Sequence, residues 1–565
     1  MSLSQLGDTI NAVVKEFIKN GRKLLSRRET NILSAASFIM ITIAASRVLG
    51  LVRDRLLASF FGAGSKLGVF WAAVEIPDTL FYILGSAVFS ASFIPVFTQY
   101  LSQGNGEGPK VLRSSEVSKG GWEMAGSVLN FSLLLFLFLA GLIFIFSRPI
   151  SCLVAPGFSS EELSLMSGLV RVMTLAQFFF VLSYFLTGML HSFQRFLVPA
   201  LAAVVYNLGV VLGIIVLAPR FGIWGPAWGM VFGSLLHFLV QLPLALSFGF
   251  SWRSLLGSLF HPGVKRVIRM ALPRAAALLG GKLSMNIQVS LASLIPVLDS
   301  VSNVAVLTFS RHLELLPIGL FGVSISQAAL PALSMNRGSA KENEFKKTFV
   351  SSLHQTLFLA APAAVILLVL RIPAVRLAFG AKRFTWKATI LTGYTVAFFS
   401  LGIIFGAILH LLNRAFYALE EAKTPVKISL LFSGLGIFLS WVLTRVFGFG
   451  VWAIPLSLSV AGFLQSLVLF LLLQKSLGRF ERESFFAPIS KIGWAAFFSG
   501  IALYIPMKLL DELVLDTTRT LNLLVLTAVA GAFGLSVYLF FTWILGVRET
   551  KLFLHLILAR FRHRR

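Results

Sequence analysis

Cysteine is all but missing: Cys152 is the single one in 565 residues. That count excludes an internal disulfide and every cysteine-ligated zinc or iron–sulfur centre, and it makes a lone buried thiol the expected state of Cys152. Acidic residues are scarce as well, 23 against 49 lysines and arginines, and only 13% of the chain is charged. No GxxxxGK[ST] loop occurs: Gly281-Lys282 lacks the first glycine at the required spacing and is followed by Leu283, so ATP is not an evident energy source. The eight histidines form no HExxH or other paired ligand spacing, and His191, His312 and His410 read as polar interface residues. Without a GxSxG elbow or a soluble catalytic segment, no enzyme is expected, and no resident metal or cofactor.

What the chain does have is apolar surface. Hydrophobic residues make up 57%, phenylalanine alone contributes 54, and the mean hydropathy is +0.85. Too little polar surface remains to cover a water-soluble globule of this size, so an all-α polytopic membrane protein is expected. The net charge of +26 does not point to nucleic acid, because the basic residues fall in short clusters between apolar segments instead of forming a basic domain. Residues 1–30 contain no cleavable signal core. Leu6, Ile10, Val13, Val14, Phe17 and Ile18, interleaved with lysine and arginine, predict an amphipathic helix on the inner leaflet.

A bilayer-crossing helix needs roughly 20 mostly apolar residues. Such segments number about fourteen, lying near 32–58, 69–97, 124–146, 165–190, 197–218, 224–247, 267–296, 301–333, 349–370, 388–413, 426–446, 450–474, 490–507 and 521–546. The over-long ones are expected to tilt or kink at Pro77, Pro273 or Pro317. Lysine and arginine favour one side by about three to one, which places both termini in the cytoplasm. One loop, with Arg371, Arg376, Lys382, Arg383 and Lys387, falls on the wrong side for this rule, and contact with anionic lipid is the reading it leaves.

An internal repeat is also legible. Pro199 of "RFLVPALAAVVYNLG" and Pro425 of "AKTPVKISLLFSGLG" share an offset of 226 residues with Phe221-Gly222 and Phe447-Gly448, while Pro77 and Pro95 resemble Pro317 and Pro331. Two six-helix lobes with two extra C-terminal helices fit this pattern. The expected divisions are a basic segment at 1–30, an N-lobe at 31–250, a C-lobe at 251–476, and two helices with a basic tail at 477–565.

Charges inside spans are costly, at least ~2.5–3.5 kcal/mol each at mid-bilayer, so they usually face a cavity or a partner. The first span carries Arg47, Arg53, Asp54 and Arg55, with Arg47, Gly50 and Asp54 on nearly one helical stripe. Glu75, Asp78, Arg171, Arg274, Lys282, Arg311 and Glu314 are the other intramembrane candidates, Arg311 and Glu314 being close enough in sequence for a salt bridge along one face. Arginines outnumbering carboxylates around a cavity suit an anion, and guanidinium is fitted to bidentate phosphate contact. A purely structural pairing of these charges is the alternative that the residues leave open.

"SRVLGLVRDRLLASFFGAG", "IPDTLFYILGSAVFSASFIPVF", "APGF", "QRFLVPAL", "RHLELLPIGLFGVSISQAALPALS" and "NRAFYALEEAKTPVKIS" occur in order over about residues 34–474. Together they resemble the MurJ/MviN family of lipid II flippases, in the multidrug/oligosaccharidyl-lipid/polysaccharide exporter superfamily. The resemblance implies two lobes around a central cavity and terminal helices forming a groove for a lipid tail. It implies a substrate, the undecaprenyl-pyrophosphate-linked disaccharide-pentapeptide, moved from inner to outer leaflet of the bacterial inner membrane by alternating access. Membrane lipids, and cell-wall synthesis proteins, would be its further partners. Arg47, Arg53 and Arg311 match family cavity arginines, with Asp54 and Glu314 as their acidic neighbours. The chain departs from the family pattern in lacking an arginine at Phe81-Tyr82, an acid at Gly68 and a glutamate at Ser86, and Arg274 is the candidate for the missing positive charge. A coupling cation and the membrane potential are the energy sources left open. The readings set beside flipping of this precursor are export of another polyprenyl-linked oligosaccharide or of drugs, and a non-transporting cell-wall scaffold.

Overall fold

A computed structural model of the chain describes residues 32–102, 119–248, 261–336, 342–478, 480–514, 516 and 519–553. The basic segment 1–30 and the basic tail from 554 onward lie outside the described residues. Among the described residues there is no strand, only one isolated bridge between Leu298 and Val301. That is the expected solution for a long apolar chain, because a helix satisfies every backbone N–H and C=O within its own segment.

Among the described residues fourteen long helices follow in order: α1 (Ile32–Phe61), α2 (Ser65–Tyr100), α3 (Gly120–Ile145), α4 (Ser160–Ser192), α5 (Leu197–Phe221), α6 (Trp224–Ser247), α7 (Pro262–Ser293), α8 (Asn303–Met335), α9 (Glu342–Val369), α10 (Trp386–Ala418), α11 (Lys423–Val446), α12 (Ala453–Leu477), α13 (Phe485–Glu512) and α14 (Thr520–Ile544). Twelve are both long enough and apolar enough to cross a bilayer. α1 and α7, 30 and 32 residues long, also have the length of a span and carry the charges noted above.

The chain forms two compact units. The first holds residues up to Leu57, Ala72–Leu153 and Ser159–Lys282; the second holds Ala58–Trp71, Val154–Phe158 and Leu283 onward. The change between them falls inside α7 and not near residue 250, because Val264, Val267 and Ala271 of α7 are buried in the first unit's core with Phe89, Phe93 and Phe185. In that core Phe93 stacks on Phe97 with ring centroids 5.0 Å apart. The second unit's main core joins Phe345, Phe349, Leu411, Phe416 and Leu469 to α13 and α14. There Tyr538 donates to the Phe358 carbonyl at 2.8 Å, which satisfies its hydroxyl inside an apolar cluster.

The sequence repeat has a structural counterpart in each unit. Pro199 and Pro425 are both the third residue of their helices, where a missing N–H costs nothing. Both helices widen to π geometry near their ends, at Gly213–Leu217 and Val442–Val446, and Gly222 and Gly448 then turn the chain at φ 58 and 68. Likewise Pro77 and Pro317 precede π segments at Tyr82–Phe93 and Ile318–Val323.

In the first unit α5 and α6 approach backbone to backbone. A Cβ at Gly213 would lie 2.3 Å from the Gly229 Cα, and one at Gly209 would lie 2.4 Å from the Gly233 Cα. Small residues at four-residue spacing permit this contact, which takes the place of a hydrophobic driving force between helices in lipid. Gly213→Val is therefore expected to destabilise the chain by about 1–3 kcal/mol through overpacking. Gly434→Val, where nothing lies within 4 Å of the added Cβ, serves as the control in thermal unfolding in detergent.

Cys152 is exposed, correcting the buried thiol expected from sequence. It sits on a short helix, Ser147–Val154, whose buried positions are Ser147, Ser151 and Val154, spaced by four and three, so that Cys152 faces the other way.

Candidate functional site

The first unit gathers the charged and amide side chains of its spans from four helices. Arg53 of α1 is bound by its sequence neighbour Asp54, with Nη2 2.9 Å and Nε 3.0 Å from Oδ1, and Asp54 is only 3% exposed. The Arg53 Nη1 also donates to Asn207 Oδ1 of α5 at 3.4 Å. Asn207 in turn donates to Ser46 Oγ at 3.1 Å and to the Ala203 carbonyl at 3.1 Å, so its amide is held from both sides. A lone asparagine in the run "ALAAVVYNLGVVLG" was the available sign of this role.

Glu75 and Asp78 lie one turn apart on α2, on either side of Pro77, and both face Lys282 of α7. Lys282 is 3% exposed, donates to Glu75 Oε2, and lies 4.0 Å from Asp78 Oδ2. Its ammonium also stands 5.6 Å from the Tyr82 ring centroid. A positive charge thus occupies the Phe81-Tyr82 neighbourhood, and Lys282 supplies it, not Arg274. Arg274 is exposed and belongs to the first unit, and among the described residues it has no hydrogen bond or ion pair. Arg47 is likewise exposed and without such a partner among the described residues. Its expected stripe-mate Asp54 points instead into the protein, toward Arg53.

In the second unit Arg311 of α8 donates through Nη2 to Gln288 Oε1 near the end of α7. Its guanidinium carbon lies 5.9 Å from the Phe399 ring centroid on α10. The ion pair with Glu314 suggested by their spacing does not form. Glu314 turns toward α10, where a Cβ at Gly402 would lie 3.3 Å from its Oε1. Gly402 keeps room for that carboxylate, and Gln288 takes the guanidinium without neutralising it. Each unit therefore has an arginine braced by a side-chain amide from another helix: Arg53 by Asn207, and Arg311 by Gln288.

The basic loop that opposed the charge rule has structural work to do in the second unit. Arg383 Nη1 donates to the Phe60 carbonyl at 2.9 Å, capping the end of α1. Lys387 pairs with Asp299 at 2.6 Å, Arg371 donates to the Leu368 carbonyl at 3.0 Å, and Arg376 lies 5.3 Å from the Trp386 ring centroid. Gly68, one of the departures from the family pattern, packs where a Cβ would lie 1.9 Å from Ser302 Oγ, so an acidic side chain has no space there. The glycine of "APGF" is similar: a Cβ on Gly157 would lie 2.0 Å from the Ser293 carbonyl oxygen.

A family model described as lipid II flippase MurJ matches residues 57–524. The chain is 28% identical over 449 residues to the probable lipid II flippase MurJ of Buchnera aphidicola subsp. Acyrthosiphon pisum, covering 78% of this chain and 83% of that protein. It is 28% identical over 438 residues to the lipid II flippase MurJ of Burkholderia cenocepacia, covering 76% and 81%. Among solved structures, lipid II flippase MurJ in an inward closed conformation aligns with a TM-score of 0.71 at 23% identity, over 90% of this chain and 98% of that one. An inward-facing multidrug resistance MATE family transporter of the MOP superfamily aligns with a TM-score of 0.60 at 15% identity, over 78% and 98%. At these identities the two structures speak for the fold alone.

Proposed function

The chain belongs to the lipid II flippase MurJ family, and from that premise we propose that it carries the undecaprenyl-pyrophosphate-linked disaccharide-pentapeptide from the inner to the outer leaflet of the bacterial cytoplasmic membrane. It acts as a transporter and not as an enzyme, with both termini in the cytoplasm, and it works by alternating access. The polyprenyl tail stays in hydrocarbon throughout, so only the polar headgroup needs a route.

The observation that carries this reading is the pair of amide-braced arginines on spans. A guanidinium held by an amide keeps its full charge and a fixed plane, which suits a pyrophosphate. Arg311 is the better placed of the two, because Gln288 takes only one of its nitrogens. Arg53 already gives two nitrogens to Asp54, so its carboxylate partner must yield or share it. In this reading Arg311 is the phosphate ligand of the second unit and Arg53 that of the first, while Arg47 and Arg274 supply field more than contact. Asp54 and Glu314 limit the strength of anion binding, so that product can leave.

An inside-negative potential favours outward movement of the pyrophosphate by about 2.3 kcal/mol per net charge at 100 mV. The membrane potential drives the cycle, with a coupling cation as the remaining contributor and without ATP. Complementation tests the assignment. Cells depleted of their own lipid II flippase are expected to grow and keep their shape when this chain is expressed, and lipid II becomes accessible on the outer leaflet. A well-expressed chain that gives neither growth nor accessibility removes the assignment.

A further inference from the structure

The second unit has a basic cavity outside the charges discussed above. It measures about 600 Å³ and is walled by the first three turns of α9, the approach to α13 with its first turns, and the turn after α14. All three spans end at this level, which is headgroup depth in a bilayer. Lys346, Lys347, Lys491 and Arg548 line it, against the carboxylates of Glu481 and Glu549. A second cavity of about 510 Å³ adjoins it, and Lys347 and Arg548 line both.

Two of the four cations are already engaged within α9: Lys346 with Glu342 at 2.7 Å, and Lys347 with Glu344 at 3.4 Å. Lys491 and Arg548 have no carboxylate partner among the described residues. Of the two facing carboxylates, Glu549 is 6% exposed and turned toward His354, 4.0 Å from its Nδ1, so it does not reach out to either cation. Ser351 and Asn343 add hydroxyl and amide groups to the same wall. A concave site with two uncommitted cations, hydroxyl and amide donors, and a position at the end of three spans has the chemistry of a phosphate-group receptor.

We propose that this cavity binds a phosphate group of a headgroup in the leaflet on the C-terminal side, with Lys491 and Arg548 as the principal contacts. The test uses the purified full chain and native mass spectrometry. Phosphatidylglycerol, phosphatidylcholine and soluble glycerol phosphate are titrated separately. Phosphatidylglycerol is expected to be retained in preference to phosphatidylcholine. Lys491→Gln with Arg548→Gln together should weaken its binding about tenfold or more, and each alone about threefold. Lys508→Gln, which removes a charge paired with Glu512 at the other end of α13, should leave it unchanged. Lys491→Arg should retain binding, which separates loss of charge from loss of fold. Glycerol phosphate binding in the wild type but not in the double variant, with no preference among lipids, assigns the same site to a soluble phosphate. Equal phosphatidylglycerol retention in the wild type and in a folded double variant overturns the proposal.

Discussion

Lys282→Met is expected to be the most damaging single substitution in the first unit, costing about 3–5 kcal/mol of stability. Methionine matches the length of the lysine stem but removes the only cation paired with Glu75 among the described residues, and the side chains of Lys282 and Glu75 are 2% and 15% exposed. A carboxylate stranded in an apolar setting is far costlier than the intact pair, so the loss comes from Glu75 left behind and not from the lysine's own packing. Pairing Lys282→Met with Glu75→Gln should restore most of the melting temperature, since no buried charge then lacks its counter-ion. Asp78, 4.0 Å from the lysine and with its side chain 39% exposed, contributes less. A double-mutant cycle by thermal unfolding reads the coupling directly. Additive effects of the two substitutions would show that the pair is incidental.

Arg311 gives the second large effect, this time on transport. Arg311→Ala is expected to abolish complementation while expression stays normal, because the charge is lost but Gln288 retains other polar options at its helix. Arg311→Lys should fail nearly as badly. An ammonium keeps the charge, yet it has no planar face to lay against Phe399 and no fork of N–H groups to offer phosphate while still bonded to Gln288. Transport at least tenfold below wild type, with a melting temperature within a few degrees of wild type, is the expected signature. Gln288→Leu should sit between wild type and Arg311→Ala, since it frees the guanidinium without deleting it. If the arginine served structure alone, Arg311→Lys would keep transport intact.

The all-α fold was legible in the sequence because intramembrane backbone has so few solutions. The repeat was legible because proline and glycine mark backbone geometry directly: the positive φ of Gly222 and Gly448 is what their shared offset encodes. Apolar runs mark α1 and α7 as spans, but which of their charges are paired and which exposed is set by the tertiary fold. The site itself was legible in residue types but not in partners. Arg311 and Glu314 are one turn apart, so helical spacing suggested a bond, yet Gln288 from α7 provides it. Lys282 and Glu75 are separated by 207 positions, and no local pattern links them. Cys152 went the other way because a lone cysteine suggested a buried thiol, whereas the short helix holding it buries Ser147 and Ser151 instead.

A chain with these two braced arginines is expected to move lipid II across a bilayer. The most direct test is reconstitution of the purified chain in liposomes carrying headgroup-labelled lipid II, with an inside-negative potential imposed and accessibility of the label followed at the outer surface. Label is expected to appear outside faster with the wild-type chain than in empty liposomes, and Arg311→Ala is expected to reduce the rate to that background. A wild-type rate equal to that of empty liposomes, or an Arg311→Ala rate equal to that of the wild type, would contradict that expectation.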